Sequence, residues 1–236
     1  LNNLAALLQY RGDYAGAESL FRESLGMHRK LLGEEHPLVA ANLNNLGRLL
    51  QARGDYAGAE ALLRESLGMY RGPLGEETPF VATSLANLGG LLQACGDHAG
   101  AEPLCRESLA MRRRLLGEEH PYVVLSLVEL ADLLCARGDY VGAAPLLVEA
   151  AHSYEAVRLR AGSGIRRATF LTESPYPALA ATRLALGKEA EAWPAVERSQ
   201  GRVLADLLLT AESRGLSSTE VRQEDSLRLA LGDQER

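Results

Sequence analysis

Lysine is almost missing from this chain. Lys30 and Lys188 are the only two, and 25 basic residues face 31 acidic ones for a net charge of -6. A nucleic-acid surface needs a concentrated positive face to neutralise phosphates, so the composition argues against that class of partner. The basic cluster Arg112-Arg113-Arg114 falls inside an amphipathic pattern and reads as a solvated helix face. Long apolar runs are missing too. None approaches the roughly 18 residues that a membrane helix requires, and no signal-peptide pattern opens the chain. Cysteine is scarce: Cys95, Cys105 and Cys135 are an odd number with neither a disulfide framework nor metal-ligand spacing, which points to a reducing, cytoplasmic setting. Aromatic residues make up 5 %, with one tryptophan. What remains, 47 % hydrophobic and 24 % charged, is the make-up of a folded, soluble protein.

What the chain has in abundance is itself. Leu1, Leu43, Leu85 and Leu127 head four copies of a 42-residue block. Leu1-Asn2-Asn3-Leu4, Leu43-Asn44-Asn45-Leu46, Leu85-Ala86-Asn87-Leu88 and Leu127-Val128-Glu129-Leu130 occupy equivalent places. So do Arg11-Gly12-Asp13, Arg53-Gly54-Asp55, Cys95-Gly96-Asp97 and Arg137-Gly138-Asp139. A fixed period of this size means stacked units that touch only their neighbours, with a seam for a core and an extended surface suited to holding another chain. Leu1 already stands inside a helical pattern without its opening turn, so the sequence reads as a piece of a longer protein.

In the second copy, Leu43, Leu46, Gly47 and Leu50 fall at i, i+3, i+4 and i+7, one face of a helix, designated A. Pro37 suits its first turn, where a missing N–H costs little, and Gly54 suits a left-handed stop. Asp55 is placed to cap a second helix, B, carrying Ala59, Leu62, Leu63, Ser66 and Leu67. Small Ala59 permits close approach to helix A, the leucines fill the seam, and the unit closes at Gly75-Glu76-Glu77.

The pattern resembles the tetratricopeptide repeat. Leu43-x2-Leu46-Gly47-x2-Leu50 and Ala17-x3-Phe21 match the spacing of that family, with leucine in place of both helix A aromatics and a period of 42 where about 34 is usual. The linkers Leu32 to Pro37 and Leu116 to Pro121 resemble those of the kinesin light chain subclass. The resemblance covers residues 1 to about 155 and implies an all-α, right-handed superhelical solenoid of antiparallel helix pairs.

Within this register other signals become structural. The Arg-Gly-Asp triplets are helix stop and cap rather than an adhesion motif. His36 and His120 hold a position where the second copy has Thr78, which suits a cap and not a metal ligand. Cys105 replaces Phe21, Leu63 and Leu147 as a small core residue, and Cys95 replaces a loop arginine. His98 near Cys95 and His152 near Cys135 lack an orienting residue or an oxyanion motif, so no catalysis, cofactor or metal is expected.

The residues of helix A that turn away from helix B form a polar stripe, Asn44, Asn45, Arg48 and Gln51. Across copies it gives one row of Asn3, Asn45 and Asn87 and another of Gln9, Gln51 and Gln93, with Thr83 alongside and Glu129, Asp132 and Cys135 at the far end. Amides carry both donor and acceptor, so each rung can pair with an extended guest backbone or, alternatively, with a neighbouring repeat or water. Resemblance to the family places this stripe on the concave face and implies a peptide or protein partner. The sign change from Arg48 to Glu129 and Asp132 suits a guest with a basic end.

After Tyr154 the period breaks. Arg158 to Arg167 has no stripe of its own, although helix B of the fourth copy has room to run into it, and Gly162 and Gly164 make no phosphate loop. Ala178 to Leu186, Gly187 and Ala190 to Leu209 read as a degenerate fifth pair, displaced because Gly187 follows Gly138 by 49 residues, an insertion of about seven relative to the repeat. Ser217-Ser218-Thr219-Glu220 offers a capping box for a final helix. The organisation expected is thus four repeats over 1–155, a fifth pair over 156–215 and a linker helix over 216–236. The runs Arg166 to Phe170, Glu173 to Ala180, Ala192 to Glu197 and Gly201 to Leu208 resemble the segment joining a repeat array to a CHAT domain, the caspase-like cysteine protease module of bacterial proteins. Such proteases pair a histidine with a cysteine, and no cysteine follows Cys135, so that domain lies outside this chain. Three readings stay open: the sensing arm of a TPR–CHAT protease, a free-standing cargo adaptor, and the sensor repeats of an NTPase switch.

Overall fold

The computed structural model describes residues 1–72, 77–160 and 174–199, with side chains 158–160 left aside. Gly75 and Glu76, residues 161–173, the Ser217 capping box, the 216–236 helix, residues 200–215 of the fifth pair and the CHAT-like runs Arg166 to Phe170 and Gly201 to Leu208 lie outside the described residues.

The described elements are helices α1 (Asn2–Tyr10), α2 (Tyr14–Leu32), α3 (Pro37–Ala52), α4 (Tyr56–Arg71), α5 (Pro79–Ala94), α6 (His98–Leu116), α7 (Pro121–Ala136), α8 (Tyr140–Arg160) and α9 (Tyr176–Ala185), followed by a helical stretch over 189–199. Odd-numbered helices are the A helices and even-numbered ones the B helices. Each pairs with its sequence neighbours, and α3 also touches α5, as α5 touches α7 and α7 touches α9. From α3 to α9 the A helices therefore form a continuous row of their own.

Local chemistry sets the ends. Gly54 adopts φ +83°, a left-handed conformation open to a residue without Cβ, and its counterparts Gly12, Gly96 and Gly138 do the same. Asp55 Oδ1 then accepts from Gly58 N at 3.0 Å. The same cap recurs from Asp13, Asp97 and Asp139. A Cβ on Gly58 would lie 2.5 Å from Asp55 Oδ2, which explains the glycine three residues after every cap. At the A helices, His36 Nδ1 accepts from Leu38 N and His120 Nδ1 from Tyr122 N, both at 3.2 Å, while Thr78 Oγ1 accepts from Val81 N at 3.3 Å. Histidine and threonine do one job there.

The core is the seam between units. Leu43, Leu46, Leu85, Leu88, Leu127 and Leu130 are each at most 1 % exposed, and burying each stabilises the array by about 2 kcal/mol. Phe21 and Leu25 of α2 share one cluster with Leu43, Leu46 and Leu49 of α3, so the B helix of one repeat covers the A helix of the next. Gly47 is the point of closest approach within a repeat, because a Cβ there would stand 2.8 Å from Leu63 Cγ.

Helix α8 runs on past the end of the periodic stripe to Arg160, and one departure from the sequence expectation follows it: α9 starts at Tyr176, two residues before Ala178. The earlier start has a tertiary cause. Tyr176 is 1 % exposed, meets Tyr154 edge to face at 6.3 Å, and donates its hydroxyl to Glu155 Oε1 at 2.7 Å.

Ion pairs staple successive repeats. Arg29 meets Glu65 at 2.7 Å and Arg71 meets Glu107 at 2.5 Å, and Arg113 meets Glu149 in the same register. A second set joins Arg53 to Glu18 and Arg137 to Glu102. The rung between them is broken, because Cys95 stands where the arginine would be, leaving Glu60 with Arg64 alone. Cys95→Arg is therefore expected to add about 0.5 kcal/mol, an exposed-pair gain that shrinks in high salt. Urea denaturation at low and high salt checks it, and no salt-sensitive gain would refute it.

Candidate functional site

The polar stripe lies on the A row, and its members differ in how much of their chemistry is already spent. Asn44 is 9 % exposed, and its Oδ1 accepts from Asn87 Nδ2 at 3.0 Å, tying α3 to α5. Part of the amide row thus bonds across repeats. Asn45, Gln51 and Gln93 are half-buried, and Arg48 is exposed. Among the described residues, the side chains of these four have no hydrogen-bond or ion-pair partner. Asn3 is exposed and Gln9 half-buried on α1. The hydroxyl of Thr83 donates to Pro79 O of its own helix at 2.9 Å, so its donor is engaged.

The far end is organised by a residue that the sequence stripe did not include. Arg112 of α6, 5 % exposed, donates from Nη1 to Ser126 Oγ at 2.6 Å and to Tyr122 O at 3.3 Å. The same nitrogen lies 3.9 Å from Glu129 Oε2, and the guanidinium covers the Tyr122 ring at 5.3 Å. Burial pushes the Arg112 pKa down, against the opposing pull of Glu129. Glu129 is therefore answered from beneath. Reading Arg112 within an Arg112-Arg113-Arg114 solvated face holds for Arg114, which is exposed and meets Glu77 at 2.9 Å, and fails for Arg112. The signal was available in the register: the equivalent positions hold His28, Tyr70 and Tyr154, none of them a surface charge.

Asp132 differs from Glu129. Its carboxylate is exposed, has no partner among the described residues, and is pushed above the ordinary carboxyl range by partial desolvation. Cys135, at the end of the glutamine row, is half-buried with Sγ 3.4 Å from Thr182 Oγ1 of α9.

The thiols follow their surroundings. Cys105 is 5 % exposed, and burial raises its pKa to about 11, so it stays protonated in the seam. Cys95 is exposed in its loop. His120 is pushed down by burial and by the nearby Arg112 charge, which keeps the imidazole neutral and able to accept as a cap. An open cleft of about 650 Å³ lies on the other side, lined by Arg113, Glu118, Glu119, Glu149, His152 and Ser153. Its arginine is already engaged by Glu118 and Glu149. Among the described residues no helix is long and apolar enough to cross a membrane.

Tetratricopeptide repeat models match residues 1–72 and 81–122. No curated protein matches the chain. Among solved structures, BtubC (BKLC) from P. vanneervenii is similar at a TM-score of 0.73 and 25 % identity, with 91 % of this chain and 80 % of that one covered. A putative kinesin light chain of nearly identical TPR-like repeats from Podosopora anserina gives a TM-score of 0.69 at 25 % identity, with 91 % and 95 % covered. MamA, at 12 % identity and a TM-score of 0.57 over 86 % of this chain and 96 % of that one, shares the fold alone. Residues 1–72 and 81–122 thus carry tetratricopeptide repeats, and the described chain is an all-α, TPR-like superhelix of the kind that serves as a protein-interaction scaffold.

Proposed function

We propose that this chain is a non-catalytic scaffold that holds an extended peptide along its A row, and that it is the regulatory arm of a cysteine protease of the CHAT type. The observation that carries the first half is the set of amides at Asn45, Gln51 and Gln93, half-buried on one face with donors and acceptors unspent among the described residues. A folded array gains nothing internally from such groups, whereas a guest backbone offers each of them a partner. Similarity to a putative kinesin light chain of TPR-like repeats supports a scaffold role. The second half rests on the sequence resemblance of the runs between Arg166 and Leu208.

Replacing Asn45, Gln51 and Gln93 together by alanine should weaken the binding of peptides selected from a displayed random library about tenfold or more, equivalent to about 1.4 kcal/mol. The unfolding midpoint should hold. Asn87 is left in place because its amide serves Asn44, and its loss would confound binding with packing. Equal affinity of wild type and triple variant overturns the scaffold reading. The protease link is decided by the parent coding sequence: a histidine and cysteine pair in a caspase-like domain beyond Arg236 supports it, and a parent without one refutes it.

A further inference from the structure

Arg48, Gly90 and Asp132 occupy one register position in three successive A helices, α3, α5 and α7. The charged side chains of the adjoining B helices α4 and α6 are answered within the protein. Every arginine of α4 and α6 is in an ion pair. The aspartates Asp13, Asp55, Asp97 and Asp139 each cap a helix. Arg48 and Asp132 do neither, and among the described residues they have no partner. Between them a Cβ on Gly90 would meet nothing within 4 Å, so the space over the middle repeat is open.

Spacing adds a measure. Packed helices stand about 8–10 Å apart, so two steps along the touching A helices separate the charges by roughly 20 Å. An extended chain advances about 3.3 Å per residue and covers that span in about six residues. Resting on the scaffold reading above, we propose that this rank is a charge gauge. It selects an extended peptide whose carboxylate meets Arg48 and whose lysine or arginine, about six residues away, meets Asp132, with the guest passing over Gly90. Complementary charge at both ends fixes register, which the amides, tolerant of any backbone, do not. Glu129 does not compete for the basic residue on equal terms, since Arg112 lies beneath it. A second copy turned about Gly90 would also pair the two charges, but the stripe is polar and lacks the apolar core on which a stable dimer depends.

The test is a displayed library of nine-residue random peptides, selected in parallel on wild type, Arg48→Glu and Asp132→Arg. Wild type should enrich peptides with one acid and one base five to seven positions apart. Arg48→Glu should exchange the acid for a base, Asp132→Arg should exchange the base for an acid, and each should bind the wild-type winners about tenfold more weakly. Thermal unfolding verifies that both variants fold. Selections without a charge pattern, or identical on all three proteins, overturn the gauge. They leave the amide scaffold reading to its own triple-alanine test. A dimer at micromolar concentration in sedimentation, lost in Arg48→Glu and regained in the double variant R48E/D132R, would assign the rank to self-association and overturn the peptide.

Discussion

Gly89→Leu should cost the array about 3 kcal/mol, while Gly90→Ala, at the very next residue, should add about 1 kcal/mol. Both sit inside α5, and helix propensity alone would favour both changes. Packing separates them. A Cβ on Gly89 would stand 2.7 Å from Cys105 Sγ and 3.5 Å from Ala101 O, and the remaining atoms of leucine would drive α5 off α6. A Cβ on Gly90 meets nothing within 4 Å, so alanine there gains propensity without a clash. Urea denaturation of the two variants decides the matter. A mild effect of Gly89→Leu would mean that the helix pair breathes far more than a close-packed seam allows. A loss of stability in Gly90→Ala would mean that the space above it is filled.

Arg112→Ala should be destabilising by about 3 kcal/mol, and Arg112→Tyr by about half of that or less. The alanine leaves a cavity and strands the Ser126 hydroxyl in the seam between α6 and α7, where both residues are buried. The tyrosine has a template within the molecule. Tyr70, at the same register position one repeat earlier, stacks on Phe80 at 5.4 Å and reaches Pro37 O at 3.4 Å. Tyr122 holds the place of Phe80 and Pro79 that of Pro37, so an introduced ring finds the same stacking partner, and its hydroxyl shares Pro79 O with Thr83. Replacing a buried charge by a well-packed side chain is frequently tolerated, whereas truncating it is not. Equal losses for the two variants, measured by urea denaturation, would show that the guanidinium itself holds this interface.

The scaffold reading gains from these two results in different ways. Gly90→Ala changes the room over the middle repeat without touching a charge, and Arg112→Tyr removes the counter-charge under Glu129 without altering the stripe. If guests use the gauge formed by Arg48 and Asp132, the first narrows the passage and the second leaves a more negative far end.

The sequence by itself determined the unit. Hydrophobic spacing placed the A and B helices, and Gly54, Asp55, Pro37 and His36 marked their ends, because capping and left-handed stops depend on atoms within a few residues of one another. The 42-residue register turned the remaining puzzles, from Cys105 to Thr78, into positions with a structural duty. What the tertiary structure decided is which side chains meet across repeats: Asn87 with Asn44, Arg53 with Glu18, Arg112 with Ser126, Tyr176 with Tyr154. Those partners follow from the offset and rotation between stacked units. Periodicity along one helix carries no information about either. The amide row looked uniform as a string of letters, and only the packing of α3 against α5 separated Asn87, whose Nδ2 already serves Asn44, from Asn45, Gln51 and Gln93, which have no partner among the described residues.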